Sequence, residues 1–265
     1  MYNPRRYFTN ASEQRRALDA VGDFYQMLEL DLYDAAVTAF SPAAVAAAAS
    51  DGQNITSITG QAAWRSFAFI YGELASVRWN VFRPTSPLNC WPPEKIFETI
   101  KSEFSEFGPG TALNLTCFEK ADAVRVQQRI VRMQGIKPKR GYPVMTVSKF
   151  LHFYNPGLFP IYDTEYIYNK VLNGYFRSDF RDFCDRERLP HRLFMNEDTA
   201  DFLPAYMRWA GSLLSSAHGN FMRVCTEWLA EQVGSDLGRR KFDFTKLYAR
   251  AFEYTVVGAA RAEGW

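Results

Sequence analysis

Four residues in the middle of the chain, Lys149, His152, Tyr162 and Asp163, have the types and spacing from which acid–base chemistry is made. Lys149 and His152 stand three apart in a segment of helical apolar spacing, so they are near neighbours on its surface and can act together. Asp163 opens a further helical segment directly after Tyr162. A carboxylate at that position has two uses. Its oxygen accepts from the unpaired N–H groups of the first turn, a role in which Asp is among the best residues. In a pocket with a lysine or histidine beside it, the same carboxylate serves as a base or steadies a developing cation. The residues leave both uses open. No paired carboxylates at catalytic spacing, nucleophile elbow or phosphate loop occurs elsewhere.

The same region is the most basic in the chain. Between Ala123 and Tyr162 there are seven basic side chains and no Asp or Glu, so all 29 acidic residues lie outside this window. A net charge of only +2 conceals that polarity. Arg125, Arg129 and Arg132 recur at steps of four and three, which aligns them on one side of a helix. Lys137, Lys139 and Arg140 follow in a loop around Pro138. Six cations on one surface attract phosphates and steer polyanions, so these are the candidate nucleic-acid-binding residues. The competing reading pairs the basic face with acidic helices of the same chain, such as Asp179 to Glu187.

The elements that must position these groups read as helices throughout. Val147, Phe150, Leu151 and Tyr154 form the buried stripe of a helix over about 144–154, which Asn155-Pro156-Gly157 ends. Leu158-Phe159-Pro160-Ile161 is an extended apolar link, because the residue before a proline disfavours helix. Phe150, Leu151, Phe159 and Ile161 are expected in the core, with Arg125, Arg129 and Arg132 accessible. Asp163 or Thr164 then caps the next helix.

Upstream, Ser12 caps a long helix carrying Leu18, Val21, Tyr25, Leu28, Leu32 and Ala36. Pro42 opens an alanine-rich helix, and Trp64, Phe67, Tyr71 and Leu74 mark another. The proline-rich stretch 83–93 is the best internal boundary of what otherwise reads as a single domain over 1–265. Further helices carry Ile96, Phe97, Ile100 and Phe104, and then residues from Asp122 to Met133. Three more follow, one started by Asp198 or Thr199 and carrying Phe202 to Leu214, one from Phe221 to Gly234, and one from Phe244 onward, with a charged helix face and turn over 178–192 before them. The fold class is all-α, a multi-helical globular domain of about eight to ten helices.

The phrase SKFLHFYNPGLFPIYDTEY, residues 148–166, resembles one seen in uncharacterised bacterial proteins, an "SK-LHF", a proline and then "LFPI-D". More remotely it is similar to the end of the helix-hairpin-helix DNA glycosylase core, where a helix, a short apolar link and a "VPVD-H" phrase set a catalytic aspartate at the start of the next helix. The resemblance covers about thirty residues and implies a degenerate core of that kind, with Asp163 in the place of the aspartate. The departures are specific. Gly135 and Gly141 bracket KPKR where the family has a "PGVG" type hairpin loop, and Glu165 stands where it has histidine. Pro160 lies one residue further from Asp163 than the family spacing, and Lys149 lies further along its helix than the lysine of the lyase members.

Composition narrows the remaining classes. With 47% hydrophobic and 16% aromatic residues, the 265-residue chain can bury a sizeable core. No apolar run has the length of a membrane span, so no membrane partner is expected. Cys90, Cys117, Cys184 and Cys225 make no CxxC pair, and free thiols in a cytoplasmic protein are the simplest reading. His152, His191 and His218 are isolated, so neither a metal site nor a cofactor is expected. Three functions stay open. One is a nucleic-acid-binding protein, glycosylase-like, whether or not it cleaves. Another is an interaction or scaffold protein whose basic face meets an acidic protein partner. The third is an enzyme acting on a small anionic substrate through Asp163. Oligomeric state is not legible.

Overall fold

The computed structural model describes residues 2–21, 93–136, 144–189, 199–233 and 247–265, and every regular element among them is helical. In chain order these are α1 (Arg6–Thr9), α2 (Ala11–Val21), α3 (Pro93–Glu103), α4 (Lys120–Arg132), α5 (Val144–Tyr154), α6 (Thr164–Tyr175), α7 (Arg177–Arg186), α8 (Phe202–Leu214), α9 (Phe221–Val233) and α10 (Tyr248–Ala262). Short 3₁₀ turns lie at Ser105–Phe107, Leu115–Cys117 and Met133–Ile136. The all-α expectation therefore holds. The continuation of the first helix past Val21, the helices near 42–49 and 60–77, and the 83–93 boundary fall outside the described residues.

Local chemistry sets the helix ends. The cap of α2 is Asn10, not Ser12: Asn10 Oδ1 accepts from the Ser12 N–H at 2.9 Å and the Glu13 N–H at 3.2 Å. Asn is as good a cap as Ser, and it directly precedes the helix, which begins at Ala11 and so already contains Ser12. At α4 the cap is Glu119. Asp122 sits at the third helical position and accepts from the Glu119 N–H at 2.9 Å, completing a reciprocal capping box. α6 is wound more widely than the rest, with i→i+5 hydrogen bonds running from the Tyr168 N–H to the Asp163 carbonyl at its start and from the Phe176 N–H to the Val171 carbonyl at its end.

The apolar faces meet in one aromatic-rich core. Phe8, Phe252, Tyr206 and Trp209 pack together, and Phe104, Phe107 and Phe159 meet edge-on or tilted nearby. α5 is buried along almost its whole length, the mark of a central helix. α2 and α10 are pressed so close that a Cβ on Gly258 would collide with the Ala17 carbonyl. Arg261 Nε reaches the Ala20 carbonyl at 2.8 Å across the same seam. Among the described residues, no helix is long and apolar enough to cross a membrane.

Candidate functional site around Asp163

α5 and the link after it build the site. Buried extended backbone needs partners for its polar groups. Side chains and neighbouring backbone share that work here. Asn155 donates from Nδ2 to the Phe107 carbonyl at 2.9 Å and accepts from the Gly157 N–H at 3.1 Å. The Leu115 N–H donates to the Gly157 carbonyl at 3.0 Å, and the Ala249 N–H to the Pro156 carbonyl at 3.1 Å. His152 Nδ1 lies 2.8 Å from the Phe159 carbonyl, which can only accept, so the proton is on Nδ1. Ser148 Oγ accepts from the Tyr162 N–H at 3.0 Å. The Ile161 N–H donates to the Glu253 carboxylate of α10. The link from Asn155 to Tyr162 is thus held from α5, from α10 and from the segment around Phe107 and Leu115.

That scaffold delivers Asp163 to the N-terminus of α6. Its Oδ1 accepts from the Tyr166 N–H at 2.6 Å, so Asp163 is the cap the sequence points to. Partial burial pushes its carboxyl above the ordinary carboxylate range. The Tyr166 N–H, the positive charge of Lys149 and the Ile167 N–H pull it back, and neighbouring Glu165 adds to the rise. Of the four residues expected to do chemistry, Asp163 is half-buried, whereas Lys149 is 4% exposed and His152 and Tyr162 are fully buried. Tyr162 packs its ring on Phe202 at 4.7 Å. His152 and Tyr162 therefore lie beneath the site and serve the link, while Lys149 supplies charge to Asp163 from within the protein. Phe150, Leu151 and Phe159 are core as expected; Ile161 is only half-buried, because the link approaches the surface there beside Asp163.

Sequence reasoning missed the acidic half of the cluster. Glu253 is 1% exposed, its Oε2 is 2.8 Å from Arg250 Nη1, and its Oε1 is 3.6 Å from His152 Nδ1. Burial pushes the Glu253 carboxyl up to about 7, against the opposing pull of Arg250 and the Ile161 N–H, and the charge of Asp163 adds to the rise. Burial, with the Arg250 charge, holds His152 down to about 3, so it is neutral. A glutamate inside the apolar run Ala251-Phe252-Glu253-Tyr254-Thr255-Val256-Val257 was the available signal. Chemically, the arrangement offers one half-buried carboxylate with a raised affinity for protons, a lysine charge beside it and a second, inaccessible carboxylate behind it. Among the described residues, no three His, Cys, Asp or Glu side chains converge to hold a metal ion.

The arginine face has a different setting. Arg125 and Arg132 are exposed and Arg129 is half-buried. Arg125 pairs with Glu106 at 2.8 Å and with Asp122, Arg129 with Glu106 at 3.2 Å and Glu103 at 3.6 Å, and Arg132 with Glu103 at 2.9 Å. The acids come from the end of α3, the turn after it and α4 itself. The stretch from Asp179 to Glu187 is engaged elsewhere: Asp179 accepts from Trp209 Nε1 at 2.8 Å, and Glu187 pairs with Arg208. Lys137, Lys139 and Arg140 lie outside the described residues.

Comparison of the chain with protein families, with curated proteins and with solved structures finds no match.

Proposed function

We propose that the chain binds nucleic acid on a glycosylase-like helical core and presents Asp163 to the ligand. The observation that carries this reading is the placement of Asp163. It stands half-buried at the start of α6, after a helix and a braced apolar link, with the Lys149 charge beside it. That is the order of elements the resemblance implies. In such a site the carboxylate stabilises the sugar cation that develops as a base leaves, and orients the water that replaces it. The test uses labelled duplexes carrying single damaged or mismatched bases at about 50 mM salt, where phosphate contacts count most. Base release by the wild type and not by Asp163→Asn, with binding retained, supports the reading. No complex at tens of micromolar protein rejects it.

The ion pairs of α4 favour a second reading, in which the arginine face laces the protein's own surface. Three arginines opposite three carboxylates leave little net field to steer a polyanion. Exposed pairs are each worth at most about 1 kcal/mol and can be exchanged for phosphates. Charge removal at Glu103 and Glu106 separates the two readings.

A further inference from the structure

We propose that Glu253 is a positioning residue for Asp163, acting through the link from Asn155 to Tyr162. The inference rests on the reading of Asp163 as the functional carboxylate. Glu253 is separated in sequence from the link, buried, and joined to it where the chain is about to enter α6: its Oε1 accepts from the Ile161 N–H, two residues before Asp163. Its other oxygen is fixed by Arg250 at 2.8 Å. His152 faces the same carboxylate from α5 and itself donates to the link, at the Phe159 carbonyl. The link therefore runs between two buried groups on two helices, tied two residues apart. A structural role alone calls for any acceptor at Ile161. An ionisable acceptor with an arginine behind it and an aspartate coupled to it makes the position of Asp163 depend on charge.

The sign follows from linkage. Closed, the site keeps the proton on Glu253 up to about 7. An opened link that admits water to the carboxylate would weaken the burial that raises it and lower it toward the ordinary 4.5. Protons therefore favour the closed link, and rising pH from 4.5 to about 7 favours opening. The charged or titratable groups facing Glu253 are Arg250 and Tyr254 from α10, His152 from α5 and Asp163 at the head of α6. His152, neutral down to about 3, does not titrate in that range.

The test measures amide hydrogen exchange of residues 156–163 between pH 5 and pH 9, corrected for intrinsic exchange, in wild type, E253Q and E253A, with base release or duplex binding followed over the same range. Glutamine keeps an acceptor for Ile161 and cannot titrate. The wild-type link is expected to lose protection by about tenfold per pH unit between pH 5 and about 7 and to level off above that. E253Q should abolish that pH dependence, and E253A should exchange fast at every pH. The Asp163-dependent signal should follow the same profile, falling between pH 5 and about 7 and level above that in wild type, without that fall in E253Q. Identical link exchange in wild type and E253Q across the range overturns the proposal, even if E253A fails to fold. A Glu253-dependent link profile beside an inert Asp163→Asn variant would leave the brace standing and remove the function read at Asp163. The two failures are therefore distinguishable.

Discussion

Arg129 sits between two carboxylates, 3.6 Å from Glu103 and 3.2 Å from Glu106. The basic window is free of acids in sequence but not in space. Its helical arginines are met by side chains 19 to 29 residues upstream. Glu103→Gln with Glu106→Gln removes the partners of Arg129 and Arg132 and leaves Arg125 with Asp122 alone. If α4 contacts phosphates, the double variant should bind duplex DNA more tightly, and the slope of log affinity against log salt should steepen by up to about 0.9 for each arginine released. A fluorescence-anisotropy titration at several salt concentrations reads both. Unchanged affinity and slope would assign the face to surface lacing.

Asp163 separates capping from chemistry by its two simplest replacements. Asn caps about as well as Asp, so Asp163→Asn should leave the melting temperature nearly unchanged, whereas Asp163→Ala should cost roughly 0.5–2 kcal/mol. The amide cannot act as a base or steady a cation, so base release should disappear in the Asn variant. An Asn variant as active as wild type returns Asp163 to a purely structural role.

The buried His152–Glu253 pair gives stability a defined pH shape. His152 is held at about 3 against an ordinary 6.5, so between those values the unfolded chain binds a proton the folded chain does not, and this contribution rises with pH. Glu253 is raised from 4.5 to about 7, so in that range the folded chain keeps a proton the unfolded chain has released, and its contribution falls as pH rises. Asp163, also raised, acts in the direction of Glu253. The opposing slopes overlap between 4.5 and 6.5 and should produce a plateau there, with an acid limb below it owed to His152 and a decline toward 7 owed to Glu253. Urea midpoints measured at half-unit pH steps test this. E253Q should remove the decline, and a decline that persists would refute the assignment to Glu253.

Gly258→Ala decides between propensity and packing. Alanine favours a helix interior over glycine by about 1 kcal/mol. Against that, the added methyl collides with the Ala17 carbonyl, backbone that cannot turn aside. Overpacking of this kind costs typically about 1–3 kcal/mol, so the variant should unfold at lower urea than wild type. A stabilised variant would show that α2 and α10 can separate without loss.

Phe150 lies at the centre of the core, fully buried and edge-on to Phe97 at 5.5 Å. Phe150→Ala should cost about 3–5 kcal/mol. Denaturant unfolding measures it, and an unchanged midpoint would contradict the central place of α5.

What the sequence disclosed was local. The stripe of Val147, Phe150, Leu151 and Tyr154 specifies α5 because its period is a property of neighbouring residues. The prolines and glycine around the link, and the cap at Asp163, are likewise local. The Arg129 partners and the Glu253 brace are not: Ile161 and its carboxylate are 92 residues apart, and no spacing rule connects them. Asn10 displaced Ser12 as a cap for a smaller reason, since both residue types cap equally well and only the chain direction entering α2 chooses between them. Tyr162 and His152 were legible as polar groups beside an aspartate, but their orientation toward the core depends on how α5 packs.

The wide winding of α6 has a mechanical consequence. A helix hydrogen-bonded i→i+5 is shorter than an α-helix of the same residues, which would span about 18 Å for the twelve from Thr164 to Tyr175. The element therefore contains slack: it can lengthen without gaining a residue. Its far end runs through Phe176 directly into α7, and its near end is Asp163. Any rewinding toward the tighter pattern would emerge at the carboxylate, as a rotation and an outward thrust of the residue on which the proposed chemistry depends. Removing one residue from the middle of α6 would draw out that slack permanently.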